Sequence, residues 1–370
     1  MNRNMKTHSP TNERIKRQYV QFLKEVRGFG GVAIDQFAKA IDRFERYTKF
    51  ADFGKFHVEQ VRGFKQHLNE QTGVRSNAPL SQATIYGTLN TLKAFFIWLA
   101  GQPGFKSCFS YGDWEYFNPS RTTASIAKAH RTPRGPTLDQ IRRVLAAMPT
   151  ATDVQRRDRA LFALIPLTAA RVTAVVSLKL RDIDIERRVL VQDARTVKTK
   201  FSKTYDTWFF PVGDDIESIV VDWVQFLTEE KQWMLDDPLF PATQVEVGTS
   251  GHFEQSGLAR EHWSGTGSIR AIFRDAFKLA GLPYFNPHSF RNTIVAYASE
   301  KDLTLHEMQA WAQNLGHTSL TTTFGSYGQV PLHQQGELVR NAGARKTAGT
   351  GDMQKLMTMV SEIHANQSKG

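Results

Sequence analysis

Three segments of this 370-residue sequence carry residue types suited to phosphate chemistry. Pro287-His-Ser-Phe-Arg291 sets His288 and Arg291 three positions apart in the first turn of an expected helix. Both side chains then share one face near the partly positive N-terminus, where such a pair can hold one phosphate. Downstream, Leu315-Gly316-His317 closes another helix, with Gly316 as a C-cap. Tyr327 follows ten residues after His317, within Thr321-Thr-Thr-Phe-Gly-Ser-Tyr327-Gly328. Upstream, Thr168-Ala-Ala-Arg171 places an arginine at the junction of two apolar helices, a position that calls for an anionic partner. Each piece is weak alone. His-x-x-Arg recurs by chance, a lone Tyr beside Gly is usually a turn residue, and an arginine such as Arg171 can serve a buried ion pair. Their order along one chain lifts the set above its parts.

The elements that must position these residues are mostly helices. In the first third, Ile15, Tyr19, Phe22, Leu23 and Val26 recur at helical spacing, as do Ile34, Phe37, Ala38, Ile41 and Phe44, then Val58, Val61, Phe64 and Leu68. A fourth helix begins at Ser81, carries Ile85, Leu89, Leu92, Phe95, Phe96 and Leu99 on one stripe, and ends at Gly101. The pattern predicts a four-helix domain over 14–117 behind an N-terminal arm, 1–13. Over 118–136 the periodicity stops and Arg131, Pro133, Arg134 and Pro136 predict an extended basic linker. Thr137-Leu-Asp-Gln140 has capping-box spacing and opens a second domain, 137–341. Within it, 161–170, 171–178, 216–227, 269–279, 289–298 and 305–315 read as helices. The stretches 189–191 and 207–212 read as a strand pair around a lysine-dense turn. The Gly-, Pro- and polar-rich stretch 236–267 reads as irregular loop, and a tail, 342–370, carries one weak helix over 353–363. The expected fold is mainly α with a small antiparallel sheet.

Composition narrows the partner. Lys and Arg number 47 against 36 Asp and Glu, a formal net charge of +11. Residues 1–136 hold 21 basic and 10 acidic side chains, and the rest of the chain 26 of each, so the whole excess lies in the first third. An excess spread over one domain suits contact with a nucleic-acid backbone. Arg14, Lys16, Arg17, Lys39 and Arg43 fall mainly off the apolar stripes, and Arg131 and Arg134 lie in the linker, so all are expected DNA contacts. One cysteine, Cys108, excludes an internal disulfide, and no Cys/His cluster has metal-ligand spacing. No window is long and apolar enough to cross a bilayer and residues 1–17 are polar, so a cytoplasmic, nucleoid-associated protein is expected.

The ordered set resembles the tyrosine recombinases, the phage-type integrase family, whose members carry Arg, Lys, His-x-x-Arg, His or Trp, and Tyr in that order. The matches are Arg171 within LTAARVTAVVSLKLRDID, the lysine-bearing hairpin of 195–204, His288 and Arg291 within PHSFRNT, His317 within LGHTSLTTT, and Tyr327. Leu178, Asp182, Asp184 and Asp237-Pro-Leu-Phe-Pro241 agree with the surroundings. The resemblance implies a helical, SAM-like core-binding domain joined to an α-rich catalytic domain. It implies that Tyr327 attacks a scissile phosphate to give a 3′-phosphotyrosyl bond, while Arg171 and Arg291 grip the phosphate with forked donors. His288 would assist proton transfer, and His317 would hydrogen-bond the phosphate or brace the pocket. A lysine would protonate the leaving oxygen: Lys198 or Lys203 equally, with Lys200 third and otherwise a backbone contact. No cofactor is needed, because the phosphotyrosyl bond conserves the energy of the broken linkage. Four departures stand out: Ala169-Ala170 replaces the common Gly-Leu, Ala174 stands where an acidic residue is frequent, Asn292 where many members have histidine, and the interval of ten from His317 to Tyr327 is one longer than usual.

The resemblance further implies a homotetramer on two DNA duplexes bearing specific recombination sites, with accessory DNA-bending or directionality proteins, mobilising an integrative element, phage or transposon. Met353, Leu356, Met357, Val360 and Ile363 form a stripe suited to contact between protomers. A type IB topoisomerase or telomere resolvase would use nearly the same residues, and a catalytically silent DNA-binding regulator could keep the scaffold. A nucleotide enzyme rests only on Gly265-Thr-Gly267, which lacks the third glycine and preceding strand of a dinucleotide site.

Overall fold

The computed structural model describes residues 8–73, 77–128, 135–247, 252–301 and 303–317. Tyr327, Arg131, Arg134 and the expected tail helix lie outside them. The chain divides into two compact units at Arg131/Thr132.

In the first unit the four expected helices are α1 (Pro10–Glu25), α2 (Gly31–Tyr47), α3 (Val58–Glu70) and α4 (Gln82–Ala100). Ser9 and Ser81 cap α1 and α4 by accepting backbone N–H groups of the first turn. The stripes meet in an aromatic core where Tyr19, Phe37, Phe44, Phe64, Phe95 and Phe96 pack mostly edge to face. One expectation changes here. The stretch 118–136 is not extended throughout, because α5 (Arg121–Lys128) forms within it. Ser120 caps that helix by accepting the Thr123 N–H, and no proline interrupts 121–128.

In the second unit, α6 (Leu138–Ala147) opens on the capping box of Thr137 and Gln140. A second box, Thr152 with Gln155, starts α7 (Asp153–Thr168) well before the apolar run that betrays it. The predicted helix over 171–178 shrinks to α8 (Val172–Val175). Beyond it the chain turns to pair with the 237–239 segment, through Leu239 N–H to Leu178 O at 2.9 Å and Leu180 N–H to Asp237 O at 3.0 Å. The strands β1 (Ile183–Asp184), β2 (Val189–Gln192) and β3 (Tyr205–Trp208) form an antiparallel sheet in that order, with Gln192 opposite Tyr205 and Val189 opposite Trp208.

Helix α9 (Asp214–Gln225) follows, then a hairpin of β4 (Thr243–Val247) and β5 (Phe253–Leu258) where an irregular loop was expected. The hairpin escaped notice because its alternating Val245 and Val247 are exposed, so no inward apolar face marks it. Helices α10 (Gly267–Leu279), α11 (Phe290–Ser299) and α12 (Leu305–Asn314) complete the described unit. The core is one cluster in which Phe290 at the head of α11 meets Phe162 of α7 and Phe273 of α10 at 5.4 and 5.2 Å. Gly135 passes so close to α11 that a Cβ there would lie 2.5 Å from the Ser289 carbonyl oxygen, and Thr293 donates to Pro136 O at 2.6 Å. The chain entering the second unit is thus stapled to the helix that carries Arg291.

One expected DNA contact is redirected by the fold. Lys16 Nζ sits 2.6 Å from the carboxylate of Glu45, which is 1% exposed, and 2.6 Å from Glu13. Buried Asn12 donates to the same Glu45 and to Ala51 O, and accepts the Phe53 N–H. Lys16 therefore neutralises a carboxylate inside the helical unit instead of facing a polyanion. Arg14, Arg17 and Lys39 are exposed, and Arg43 is half-buried, donating to Thr88 Oγ1 at 3.3 Å. Removing one partner of such a pair strands the other, so Lys16→Met should destabilise the full chain by about 2 kcal/mol in chemical denaturation. Arg14→Ala and Lys39→Ala should leave stability within about 0.5 kcal/mol of the unaltered chain.

Candidate active site

Arg291 is the centre of the pocket. The 3-10 turn Pro287–Ser289, capped by Asn286, leads into α11 and puts Arg291 in the interior, 2% exposed. Its Nη1 donates to Ala169 O at 2.6 Å, and its Nη2 donates to Leu315 O and faces His317 Nε2 at 2.9 Å. A guanidinium can only donate, so Nε2 accepts and the neutral ring carries its proton on Nδ1. One cation thereby joins the ends of α7 and α12 to the head of α11.

Both turns have the backbone geometry this requires. Ala169 caps α7 in the left-handed region, φ 51°, and its N–H bonds Ile165 O at 2.8 Å. The same residue accounts for the Gly-Leu pattern noted above, since glycine enters this region without cost and alanine does not. Thr168 tightens the turn by donating to Leu164 O and accepting the Ala170 N–H. At the other end, Gly316 has φ +69°, its N–H bonds Gln313 O at 2.7 Å and the His317 N–H bonds Ala312 O at 3.1 Å. That is the Schellman arrangement expected of a glycine C-cap.

Arg171 lies two residues after the Ala169 turn, half-buried, with Nη1 donating to Tyr205 Oη at 3.3 Å. No carboxylate is within ion-pair distance of it among the described residues. His288 stands at the mouth of the pocket. Its pKa is lowered by partial burial first, then by the charges of Arg291, Arg171 and Lys200. His317 is pushed down to about 4 by burial, then by Arg291, Arg171, His288 and Lys200. Two imidazoles with lowered pKa values therefore share the site with the charges of Arg171, Arg291 and Lys200.

The structure separates the three lysines. Lys200, expected as a third choice or a backbone contact, is the one whose charge reaches both His288 and His317. The backbone N–H of Lys198 is anchored on Ser177 Oγ at 2.8 Å, and its charge bears on His262 instead. All three lysines are exposed, and Lys203, beside the start of β3, is not among the charges that lower either histidine. Arg171, Arg291, His288, His317 and Lys200 thus converge, whereas Tyr327 lies outside the described residues.

Comparison with known proteins settles the family. Residues 137–332 match the model of the phage integrase family. The chain belongs to the phage integrase family. It is 25% identical over 285 residues to tyrosine recombinase XerC of Thermodesulfovibrio yellowstonii, covering 74% of this chain and 80% of that one. It is 26% identical over 208 residues to XerD of Neisseria meningitidis serogroup A, covering 56% and 62%. The integrase fold is evident in solved structures. XerH bound to a palindromic difH substrate in a post-cleavage complex gives a TM-score of 0.60 at 18% identity, over 88% of this chain and 84% of that one. A lambda integrase dimer bound to a COC′ core site gives 0.55 at 14%, over 86% and 99%.

Two integrase-site residues had no sequence signal. Tyr205 looks like an ordinary strand aromatic, yet its hydroxyl touches Arg171. Asn314 looks like a helix-surface residue, yet its side chain accepts the Trp208 N–H at 2.7 Å and donates to Trp208 O at 2.9 Å. It pins the end of α12 to β3 as a further strand would. These contacts join residues 34 and 106 positions apart and leave no mark on periodicity.

Two outcomes follow. Ala169→Val should destabilise the chain by about 2 kcal/mol or more, since a β-branched residue resists the left-handed region, whereas Ala169→Gly should stay within about 1 kcal/mol. Denaturation of both variants measures this. For pH, the folded chain holds His317 neutral down to about 4, while the unfolded chain protonates it near 6.5. The unfolded state binds more protons in that window, so this group makes stability fall as pH drops from 6.5 towards 4. His317→Asn should flatten that part of the thermal-midpoint curve.

Proposed function

We propose that this site-specific tyrosine recombinase uses Tyr327 to attack a DNA phosphodiester, with Arg171 and Arg291 as the cationic cradle and Lys200 as the general acid. The convergence of Arg171, Arg291, His288, His317 and Lys200 from segments far apart in the chain carries the reading. In the first step the tyrosyl oxygen bonds to phosphorus, and the 5′ oxygen leaves with a proton from the lysine ammonium. The product is a 3′-phosphotyrosyl linkage and a free 5′ hydroxyl. In the second step a 5′ hydroxyl of the partner strand attacks that linkage, the tyrosine leaves, and a phosphodiester is restored. Bond type is conserved throughout, so strand exchange is close to isoenergetic.

Each described residue fits a part of this. Arg171, half-buried and facing the pocket, can present forked donors to the nonbridging oxygens. Arg291, held by carbonyls, supplies a fixed charge that needs no reorganisation as the phosphate becomes pentavalent. His288 starts neutral at the mouth and can take the tyrosine proton. His317 braces Arg291 through Nε2. Bound phosphate would offset the cations and raise both histidine pKa values.

The wider reading comes from relatives. A lambda integrase tetramer bound to a Holliday junction shares the fold, with a TM-score of 0.54 at 16% identity, and supports four protomers acting on two duplexes. The basic excess of residues 1–136 supports contact of the helical unit with the DNA backbone through Arg14, Arg17, Lys39 and Arg43. No helix among the described residues is long and apolar enough to cross a membrane. Action on cytoplasmic, nucleoid-associated DNA, to mobilise an integrative element, completes the proposal.

The test uses nicked suicide duplexes tiled across the DNA flanking the gene. The unaltered chain should form a covalent adduct in EDTA, and Tyr327→Phe should form none. Adduct surviving that substitution removes Tyr327 as nucleophile, and a chain that binds the duplexes but never forms adduct is a silent regulator. The lysine is assigned with a 5′-bridging phosphorothiolate, whose thiolate leaves without a proton. Lys200→Ala should lose about 100-fold or more in cleavage of the normal linkage and recover on the sulfur substrate. Lys198→Ala and Lys203→Ala should show neither effect.

A further inference from the structure

We infer that Tyr205 is a positioning residue for the reaction, orienting Arg171 and at the same time seating the turn that carries His317. This rests on the cleavage reading above. Tyr205 is the first residue of β3, directly after the turn that holds the three lysines, and lies opposite Gln192. Its hydroxyl accepts from Arg171 Nη1 at 3.3 Å. Its ring covers Gly316 so closely that a Cβ there would meet Cε2 and Cζ at 2.9 and 3.0 Å. Gly316 lies between Leu315, whose carbonyl accepts from Arg291, and His317, which faces the same guanidinium. One phenol therefore touches a cation of the cradle at its hydroxyl and the turn supporting the other cation at its ring.

The rest of β3 makes the seat firm. Thr207 Oγ1 donates to Asn314 O at 3.2 Å, and Gln192 Nε2 donates to Thr207 Oγ1 at 3.0 Å. With the paired bonds from Asn314 to Trp208, the end of α12 is fixed along the strand. Tyr205 extends that seat by one side chain towards the pocket. Among the described residues its hydroxyl is the hydrogen-bond partner that orients the Arg171 guanidinium, because Ala174, one turn on, offers no acceptor.

The chemistry of the contact is specific. A carboxylate at this place would bind the guanidinium more strongly but neutralise part of the charge meant for the phosphate. A phenol oxygen is a neutral acceptor, so it aims the fork while leaving the full positive charge to the scissile oxygens. Position and charge are thereby set by different groups.

The experiment is single-turnover cleavage by full-length Tyr205→Phe, which keeps the ring on Gly316 and deletes only the hydroxyl. On the nicked duplex that yields the Tyr327 adduct, cleavage should slow by about tenfold, one hydrogen bond's worth of orientation. Adduct should still form, and DNA affinity and thermal midpoint should match the unaltered chain. A methylphosphonate at the scissile position separates positioning from structure, because a neutral linkage carries no charge for Arg171 to meet. The Tyr205→Phe defect should shrink on it together with that of Arg171→Ala.

Equal cleavage rates, a defect that persists on the methylphosphonate, or loss of rate in step with loss of fold or affinity would each overturn the role. Failure of the unaltered chain to form any adduct would instead be a failure of the cleavage reading. In that case Arg171 is read in the DNA-free protein by nitrogen NMR of its guanidinium. Faster rotation about its C–N bonds in Tyr205→Phe supports the positioning contact, and unchanged rotation overturns it.

Discussion

A buried guanidinium organises the second unit of this protein. Arg291 cannot lose its proton, and taking it out of water is costly unless every donor finds an oxygen or nitrogen. At the two terminal nitrogens the chain supplies main-chain carbonyls at two helix ends, Ala169 O and Leu315 O, and His317. A carbonyl can be offered there only if the helix stops and the chain turns sharply, hence the left-handed backbone at Ala169 and again at Gly316. The helices α7, α11 and α12 are tied together by the same group that is proposed to present charge to a phosphate. Architecture and chemistry share one atom set, which explains why a cation is held in a place where an apolar residue would cost less.

The residue types gathered around Arg291 concentrate positive charge. Arg171, Arg291 and Lys200 stand near two imidazoles that their field and partial burial keep neutral. Like charges brought together in folding repel, and the phosphate proposed to bind there has the opposite sign. In the proposed reaction, bound DNA would offset this repulsion where the scissile group sits. The acidic residue frequent after the first arginine in this family is Ala174 here, and among the described residues no carboxylate is within ion-pair distance of Arg171.

Much of this was legible in the sequence, for physical reasons that differ by element. Capping residues such as Ser81, Thr137 and Gly316 act on backbone groups one turn away, so their effect is written locally. Apolar stripes likewise report burial at short range, and the helices of both units follow them. What could not be read lacked a local apolar signal or depends on contacts between distant segments. The β4–β5 hairpin turns its valines outward, helix α8 is cut short by pairing with 237–239, and the helix over 121–128 forms where basic composition suggested an open linker. Lys16 shows the same limit for charge: its place off the apolar stripe was visible, but not the buried Glu45 that claims it.

The lysine turn shows most plainly where chain order stops being informative. Lys198, Lys200 and Lys203 lie within six residues, and spacing to Pro211 cannot choose among them, because a turn of this length can present any one inward. The choice is made by what flanks the turn. Ser177 holds the Lys198 backbone on one side, and Tyr205 begins the strand on the other, bound at once to Arg171 and to the Gly316 turn. With both ends fixed, the short 3-10 turn Lys200–Ser202 leaves Lys200 as the charge that reaches the two histidines. The proposed choice of Lys200 as proton donor therefore rests on the anchors, and Tyr205, which begins the strand, is also the residue proposed to aim Arg171.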